Sequence, residues 1–573
     1  MNLNYLNQFK QNYPCFTGNT SVSVFTVNDL HGQNMHGIKN ASDSFDEFCK
    51  EKHPDVSFKI SSGDCMIGTP DSPEGSSRIW TKFLNLIKID VSAIGNHELE
   101  LSGDHFAKEI KNSDFKYLAA NINFKEGTEL KKLSENKTLL KSCIIEKNGE
   151  KYGFIGLCPT NLKDVGCKES KVREEMQVDN LQKTIEAVNK EAANLKKETN
   201  KIFLLSHSGY KLTVKDDALK TAEKLAKSGC KIDIDYDSEK QSAVIYPDKI
   251  IAENTADIDI INGGHSHDLL IGIAKGKNLF YNLDNKPVII TQAGRDGKYT
   301  GLLNAVFDEN GELIVNECEN IINKVNNSVP SQEVTALRKK HLGDPPPFAQ
   351  ISQTITTPGN PRIEENKVAS LVSDAIRFTT GAQIAFINGG NIRGTLYAGK
   401  VTDLDINEIA PFPQKLYKVE LTEKELIDTL KFSAASFKST TNPRPGLLQT
   451  SGLEYKITKD GKLSEAYLVK ENNKKEKINI ENPSASKKIT VAYSDFLLNG
   501  GEGFTMLIRN PEELKKKGIN NPALPEGYFP VSQADATIQY LKHKFSIEDG
   551  KVYEPGEDRI KVLPAQKSLQ EVI

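Results

Sequence analysis

No run in this chain approaches the roughly 18 apolar residues that a membrane-spanning helix requires, so no span is expected. There is no CxxC pair among the eight cysteines, all of which fall between Cys15 and Cys318. That argues against a zinc ribbon and for scattered reduced thiols. Charge of one sign is also scarce: the formal net charge is −3. A broad basic field for a nucleic-acid backbone is therefore not expected, while a local positive pocket for a small phosphate remains open. The opening residues, MNLNYLNQFKQNYPCF, lack the basic segment followed by an apolar one that marks an export signal. With the reduced thiols this predicts a cytoplasmic protein. The alternative is a processed periplasmic or secreted form.

What is present is a long, ordinarily composed chain. At 573 residues, with 38% apolar and 26% charged residues, it should form two or more globular domains. The first half carries short apolar runs at 21–27, 56–62, 90–95, 152–157, 202–206, 258–263 and 287–292. They are rich in Val, Ile and Phe and end in Gly, Asn, Asp or His, as buried strands of an α/β domain do. Between two of them, Val178, Leu181, Ile185, Val188, Ala192 and Leu195 recur at helical spacing, which predicts an amphipathic helix over 175–200. A polar stretch then runs into the prolines at 345–347, where a helix cannot continue. A second α/β pattern follows: helices near 364–379 and 420–437, and strands near 383–389, 452–457 and 488–494. The segment from about 546 reads as a polar tail.

Most of the residues that could carry chemistry sit where a strand run ends, a common place for reactive groups in α/β sheets. They are Asp29 and His31, Asp64, Asn96 and His97, His207, and His265 and His267. Gly294 after Gln292 forms a further motif without a ligand of its own. Setting His97 aside, two Asp, one Asn and four His make seven donors. That mixture suits Mn, Zn, Fe or Co better than Mg or Ca alone. It is too many for one tetrahedral ion and enough for two divalent ions sharing a carboxylate. Two such ions can activate a water and clamp both ends of an in-line phosphoryl displacement. In an extended segment, residues i and i+2 project to one face. Spacing alone thus lets Asp29 and His31 reach one ion together, and His265 and His267 likewise.

The order D-x-H, GD, GNHE, H, GHxH resembles the calcineurin-like metallophosphoesterases. The pieces TVNDLHG, SSGD, AIGNHE, LSHSG and NGGHSH resemble the 5′-nucleotidase and UDP-sugar hydrolase branch. The second half is similar to the same branch at Arg362–Asn366, Asp374, Asn388–Arg393, Pro411-Phe412, Ser451-Gly452 and Asp495–Phe504. The resemblance implies an α/β fold with an N-terminal four-layer αββα metallophosphoesterase sandwich (20–322), a linker helix (323–349), an α/β substrate-binding domain (350–545) and a tail (546–573). It also implies that the domains rotate to deliver substrate.

By the same resemblance, Asp29, His31, Asp64 and His267 would hold one ion, and Asp64, Asn96, His207 and His265 the other. His97 would stabilise the transition state or protonate the leaving oxygen, oriented by Glu100 where the family has Asp. Arg362 and Arg393 would bind phosphate, Arg393 within a substrate loop that includes Asn388 and Gly390. Phe412 and Phe496 would sandwich a base. Gln414 and Glu502 replace the family's usual Asn and Asp, and Pro358 stands where an Arg is frequent. These departures change groups that would touch phosphate, base or ribose. The implied activity is dephosphorylation of nucleoside 5′-monophosphates, or of di- and triphosphates. The alternatives are hydrolysis of UDP-sugars or 2′,3′-cyclic nucleotides, or a catalytically silent nucleotide-binding protein.

Overall fold

A computed structural model describes residues 18–66, 74–100, 102–165, 172–214, 226–227, 230–232, 234–237, 242–326, 328–355, 361–435, 437, 446–470, 473–509, 527–556 and 558–564. The N-terminal segment read above for an export signal and the departure at Pro358 lie outside them. The chain divides into two compact units. The first holds residues up to 326 with 331–337, and the second holds 327–330 with the residues from 338 on.

The first unit is built on two sheets. In one, the order is Glu319–Lys324, Tyr299–Phe307, Thr20–Val27, Val56–Ser61, Val91–Ala93, Lys116–Leu118, Leu139–Leu140. In the other it is Leu279–Tyr281, Pro287–Thr291, Ile260–Gly263, Ile202–Ser206, Glu150–Leu157, Ser142–Lys147. Their facing sides share one core: Val24, Phe58 and Val91 from the first sheet pack with Phe154, Phe203 and Ile260 from the second. Phe58 and Phe154 meet edge to face at 5.1 Å. The outer face of the second sheet is covered by the helices Leu181–Leu195 and Pro247–Asn254, through Ile185, Val188 and Ile251. On the first sheet, Phe25 turns outward to Phe45 of the helix Met35–Lys52, ring to ring at 5.5 Å. Burial on both faces is why these strands read as continuous apolar runs rather than alternating ones. The result is the four-layer αββα sandwich.

Parallel pairing aligns the strand ends. Thr20–Val27 runs parallel to Val56–Ser61, which runs parallel to Val91–Ala93. Ile202–Ser206 lies parallel between Glu150–Leu157 and Ile260–Gly263. Within each sheet the loops that follow these strands therefore leave at the same edge.

The second unit holds a five-stranded sheet ordered Leu448–Ser451, Ile384–Asn388, Lys488–Ser494, Lys415–Thr422, Gly527–Ser532. The helices Lys367–Thr380 and Gln533–Lys544 pack on one face through Leu371, Val372 and Leu541. The helix Glu423–Ala435 packs on the other through Leu426, Ile427 and Leu430.

Four expectations change. The helix over 175–200 is shorter: Met176–Val178 is a strand paired with Ile122–Phe124, and the helix starts at Leu181. Asn180, extended and accepting a hydrogen bond from the Lys183 amide, caps it there. The segment 323–349 is helical only over Gln332–Leu342, since the chain up to Lys324 completes an edge strand. The helix over 420–437 begins at Glu423, because residues 415–422 pair on both sides within the sheet. The tail from 546 contains a strand, Ile560–Leu563, parallel to Leu453–Thr458. It buries only Ile560 fully and joins by backbone hydrogen bonds, so it leaves little apolar pattern. Among the described residues, no helix is long and apolar enough to cross a membrane.

Candidate metal centre

The loops after the strands of the first unit are locked to one another by their backbones. The amides of Asp29, His31 and Gly32 donate to the carbonyls of Gly63, Asp64 and Cys65, each at 3.0 Å. The chain must turn sharply to do this. Asp29, His31, Asp64, His265 and His267 all lie in the left-handed region, with φ of 50°, 49°, 56°, 72° and 63°. Side chains seldom adopt this conformation, and strain of this kind collects at functional sites. Gly95 allows the approach: a Cβ there would strike the Asp64 carboxylate and amide.

This geometry corrects the argument from spacing. Asp29-x-His31 and His265-x-His267 are not extended. Asp29, His31 and His267 form one group of converging ligand atoms, and Asp64, His207 and His265 form another. The turn at His265–His267 sends its two imidazoles to different groups. Asp64 connects them, since it also converges with His31 and His97. Its Oδ2 lies 3.0 Å from His207 Nε2, 3.7 Å from His97 Nε2 and 3.8 Å from His31 Nε2. Asp29 Oδ1 lies 3.4 Å from His267 Nε2 and 3.7 Å from His207 Nε2.

The donor set fits divalent cations. Asp29, Asp64 and His207 are fully buried. His31 Nε2 and Asn96 Oδ1 are buried without a hydrogen-bond partner, an arrangement too costly to keep without a ligand. Burial works against charge on Asp29, but His267 and His207 outweigh it and hold the carboxyl at about 2. Burial likewise opposes protonation of His207, and Asp64 and Asp29 reverse it, lifting the imidazole to about 10. His265 goes the other way, pushed down to about 3 by burial and by neighbouring His207. A pocket that sustains buried carboxylate charge and gathers protons around it favours cations.

His97 stands at the edge, with Nδ1 at 3.0 Å from Glu100 Oε1. Burial lowers its basicity, yet Asp64 and Glu100 raise it overall. The extra methylene of Glu100 thus still reaches the imidazole.

Several further residues support this centre. The carboxylate of Glu98 is buried and accepts the amides of Asp64 at 2.9 Å, Cys65 at 2.8 Å, Met66 at 3.4 Å and Gly95 at 2.7 Å. It was visible inside GNHE but had no obvious partner. The Ser62 carbonyl takes His207 Nδ1 at 2.6 Å, and Asp296 takes His31 Nδ1 at 2.9 Å. Gln292 braces the loop after Gly263 by donating to the Gly264 carbonyl and accepting from Ser266 Oγ and the Asp268 amide. Gly294 contributes its carbonyl to Asn28 Nδ2 at 2.8 Å.

Residues 348–509 match the model of the 5′-nucleotidase C-terminal domain. A 5′-nucleotidase-related protein of Glossina morsitans morsitans is 26% identical over 530 residues, spanning 87% of this chain and 84% of its own. An apyrase of Anopheles gambiae is 26% identical over 551 residues, spanning 89% and 82%. The solved 5′-nucleotidase precursor from Thermus thermophilus shares the fold, with a TM-score of 0.56, 22% identity, and coverage of 95% of this chain and 99% of that one. The chain carries a 5′-nucleotidase C-terminal domain and is similar over most of its length to 5′-nucleotidases and apyrases. It is accordingly a metal-dependent phosphoric ester hydrolase.

Every substrate residue expected of this 5′-nucleotidase relative falls inside the matched region, and each lies in the second unit. Arg362 pairs with Glu502, which itself turns with φ 55°. A Cβ at Gly390 would strike both of them. Asn388 Oδ1 and Glu502 Oε2 are buried without a hydrogen-bond partner. The Arg393 guanidinium lies 5.4 Å from the centre of the Phe412 ring. Asn391 Nδ2 donates to Gln414 Oε1 at 2.5 Å. Phe496 lies against Gly501, where a Cβ would meet its ring, and packs on the edge of the core. The structure thus assembles Arg362, Gly390 and Glu502 in one place and stacks Arg393 on Phe412.

Proposed function

We propose that the first unit binds two divalent cations bridged by Asp64 and hydrolyses nucleoside phosphates, most directly nucleoside 5′-monophosphates. Asp29, His31, Asp64 and His267 would hold one ion, and Asp64, Asn96, His207 and His265 the other. The convergence of two imidazole–carboxylate groups on Asp64 carries this reading. Divalent ions such as Mn, Zn, Fe or Co supply the Lewis-acid charge that phosphoryl transfer needs.

The side chains do the rest. His97, oriented through Nδ1 by Glu100, presents Nε2 beside Asp64 Oδ2. As a water oxygen bonds to phosphorus and gives up a proton to solvent, the ester P–O bond breaks and the proton on His97 Nε2 passes to the leaving oxygen, solvent then reprotonating His97. Arg362 and Arg393 offer guanidinium groups to phosphate oxygens. Asn388, Gly390, Gln414 and Glu502 line the substrate loops, and Phe412 and Phe496 offer ring faces to a base.

Chelation followed by graded return of Mn²⁺ tests the centre. Phosphate release from a panel of nucleoside mono-, di- and triphosphates, a UDP-sugar and a 2′,3′-cyclic nucleotide should vanish and return, fastest on a 5′-monophosphate. Saturable nucleotide binding with no turnover under any metal would instead mark a binding protein. Phe496→Ala tests the base. Stacking contributes about 1–3 kcal/mol per base, so kcat/KM for a nucleotide should fall about tenfold, which corresponds to about 1.4 kcal/mol. A small aryl phosphate should be nearly unaffected. Equal losses on both would show that Phe496 acts only as packing against Gly501 and the core.

A further inference from the structure

The two neighbouring residues Arg295 and Asp296 approach the His31/His267 group from opposite sides of its chemistry. Asp296 Oδ1 accepts from His31 Nδ1 at 2.9 Å and from Gln33 Nε2 at 3.2 Å. Its backbone amide donates to the Asp29 carbonyl at 2.7 Å, so this carboxylate is tied to the loop it serves. A carboxylate can only accept from an imidazole N–H. It therefore keeps the proton on Nδ1 and leaves the lone pair of Nε2 facing Asp29 and Asp64.

At His267 the sense is reversed. Arg295 Nη1 lies 3.4 Å from His267 Nδ1. A guanidinium has donors only, so this contact asks Nδ1 to accept. The neutral ring then carries its proton on Nε2, the nitrogen that faces Asp29 Oδ1 at 3.4 Å. Arg295 also brings a positive charge to the edge of a cation pocket. Arg295 Nε and Asp296 Oδ2 lie 3.3 Å apart, so the two side chains hold each other in place. In the second group, His207 has a neutral backing, the Ser62 carbonyl. Among the described residues, this charged pair flanks the first group and not the second.

We propose that Arg295 and Asp296 are positioning residues that set how tightly the His31/His267 ion is held, Asp296 strengthening it and Arg295 weakening it. The inference rests on the two-ion reading above. Partners behind metal-bound histidines typically change affinity about 10–100-fold.

The experiment is Mn²⁺ titration calorimetry on chelated full-length protein at neutral pH. His265→Ala leaves the His31/His267 group alone, and His31→Ala leaves the His207/His265 group alone. In the first background, Asp296→Ala should weaken Mn²⁺ binding about 10–100-fold, Asp296→Asn should recover part of that loss, and Arg295→Leu should tighten binding. In the second background, none of the three should matter. Unchanged affinity for Asp296→Ala in the first background, or an equal loss in both, overturns the proposal. Should Asp296→Ala fail to fold, Arg295→Leu decides, because its side chain is partly exposed. Weaker or unchanged binding in that variant also overturns the proposal. If the unsubstituted protein takes up fewer than two Mn²⁺, the two-ion reading itself fails. If it takes up two and Asp296→Ala changes nothing, only the present inference fails.

Discussion

Asp64→Asn should lower turnover on a nucleotide on the order of 10²–10³-fold or more, since electrostatic groups at a transition state are worth that much singly and Asp64 serves two ions. Its Oδ2 is the shared point of the centre, within 3.0 Å of His207 Nε2 and 3.8 Å of His31 Nε2. Asparagine preserves the shape and one oxygen but removes a full negative charge from between two cation sites. The other oxygen, Oδ1, accepts the His97 amide at 2.8 Å, and the asparagine oxygen can keep that bond. The fold should therefore survive. Steady-state kinetics, bound metal measured by elemental analysis and circular dichroism together check this. Turnover should collapse, metal content should fall from two ions to at most one, and the spectrum should not change. Near-normal turnover with two ions bound would remove the bridging role.

Glu98→Ala should be the most damaging change to the stability of the first unit among the residues around the centre, by about 2–4 kcal/mol. The reason is the asymmetry of buried hydrogen bonds: unmade ones cost more than made ones stabilise. Glu98 alone receives the amides of Asp64, Cys65, Met66 and Gly95. Truncation would leave these donors in a closed space. The loop carrying Asp64 would lose its anchor, so activity should fall along with stability. Denaturant unfolding of the chelated protein isolates the effect from metal binding. A midpoint equal to that of the unsubstituted chain would show that Glu98 does not organise this loop.

Strands buried on both faces appear as unbroken Val, Ile and Phe runs, so Thr20–Val27, Val56–Ser61, Ile202–Ser206 and Pro287–Thr291 were legible to within a residue or two. The candidate ligand residues stood out for a related reason: Asp, Asn and His recur just after such runs. Glu98, Asp296 and Arg295 were not, because a carboxylate or guanidinium looks the same whether it faces water or braces a buried imidazole. The strand at Ile560–Leu563 escaped for want of side-chain burial, and the strand at Met176–Val178 because Val178 continued a helical spacing that Asn180 interrupts.

By itself the sequence determined the α/β strand runs of both units and offered seven candidate donors, because burial and metal chemistry each select residue types, while the αββα order was implied by the resemblance to a family. Only the tertiary structure showed which side chains converge: Asp29, His31 and His267 in one group, and Asp64, His207 and His265 in another. Left-handed turns at Asp29, His31, Asp64, His265 and His267 aim those side chains, and such turns are imposed by the packing of distant loops rather than by the residues' own preference.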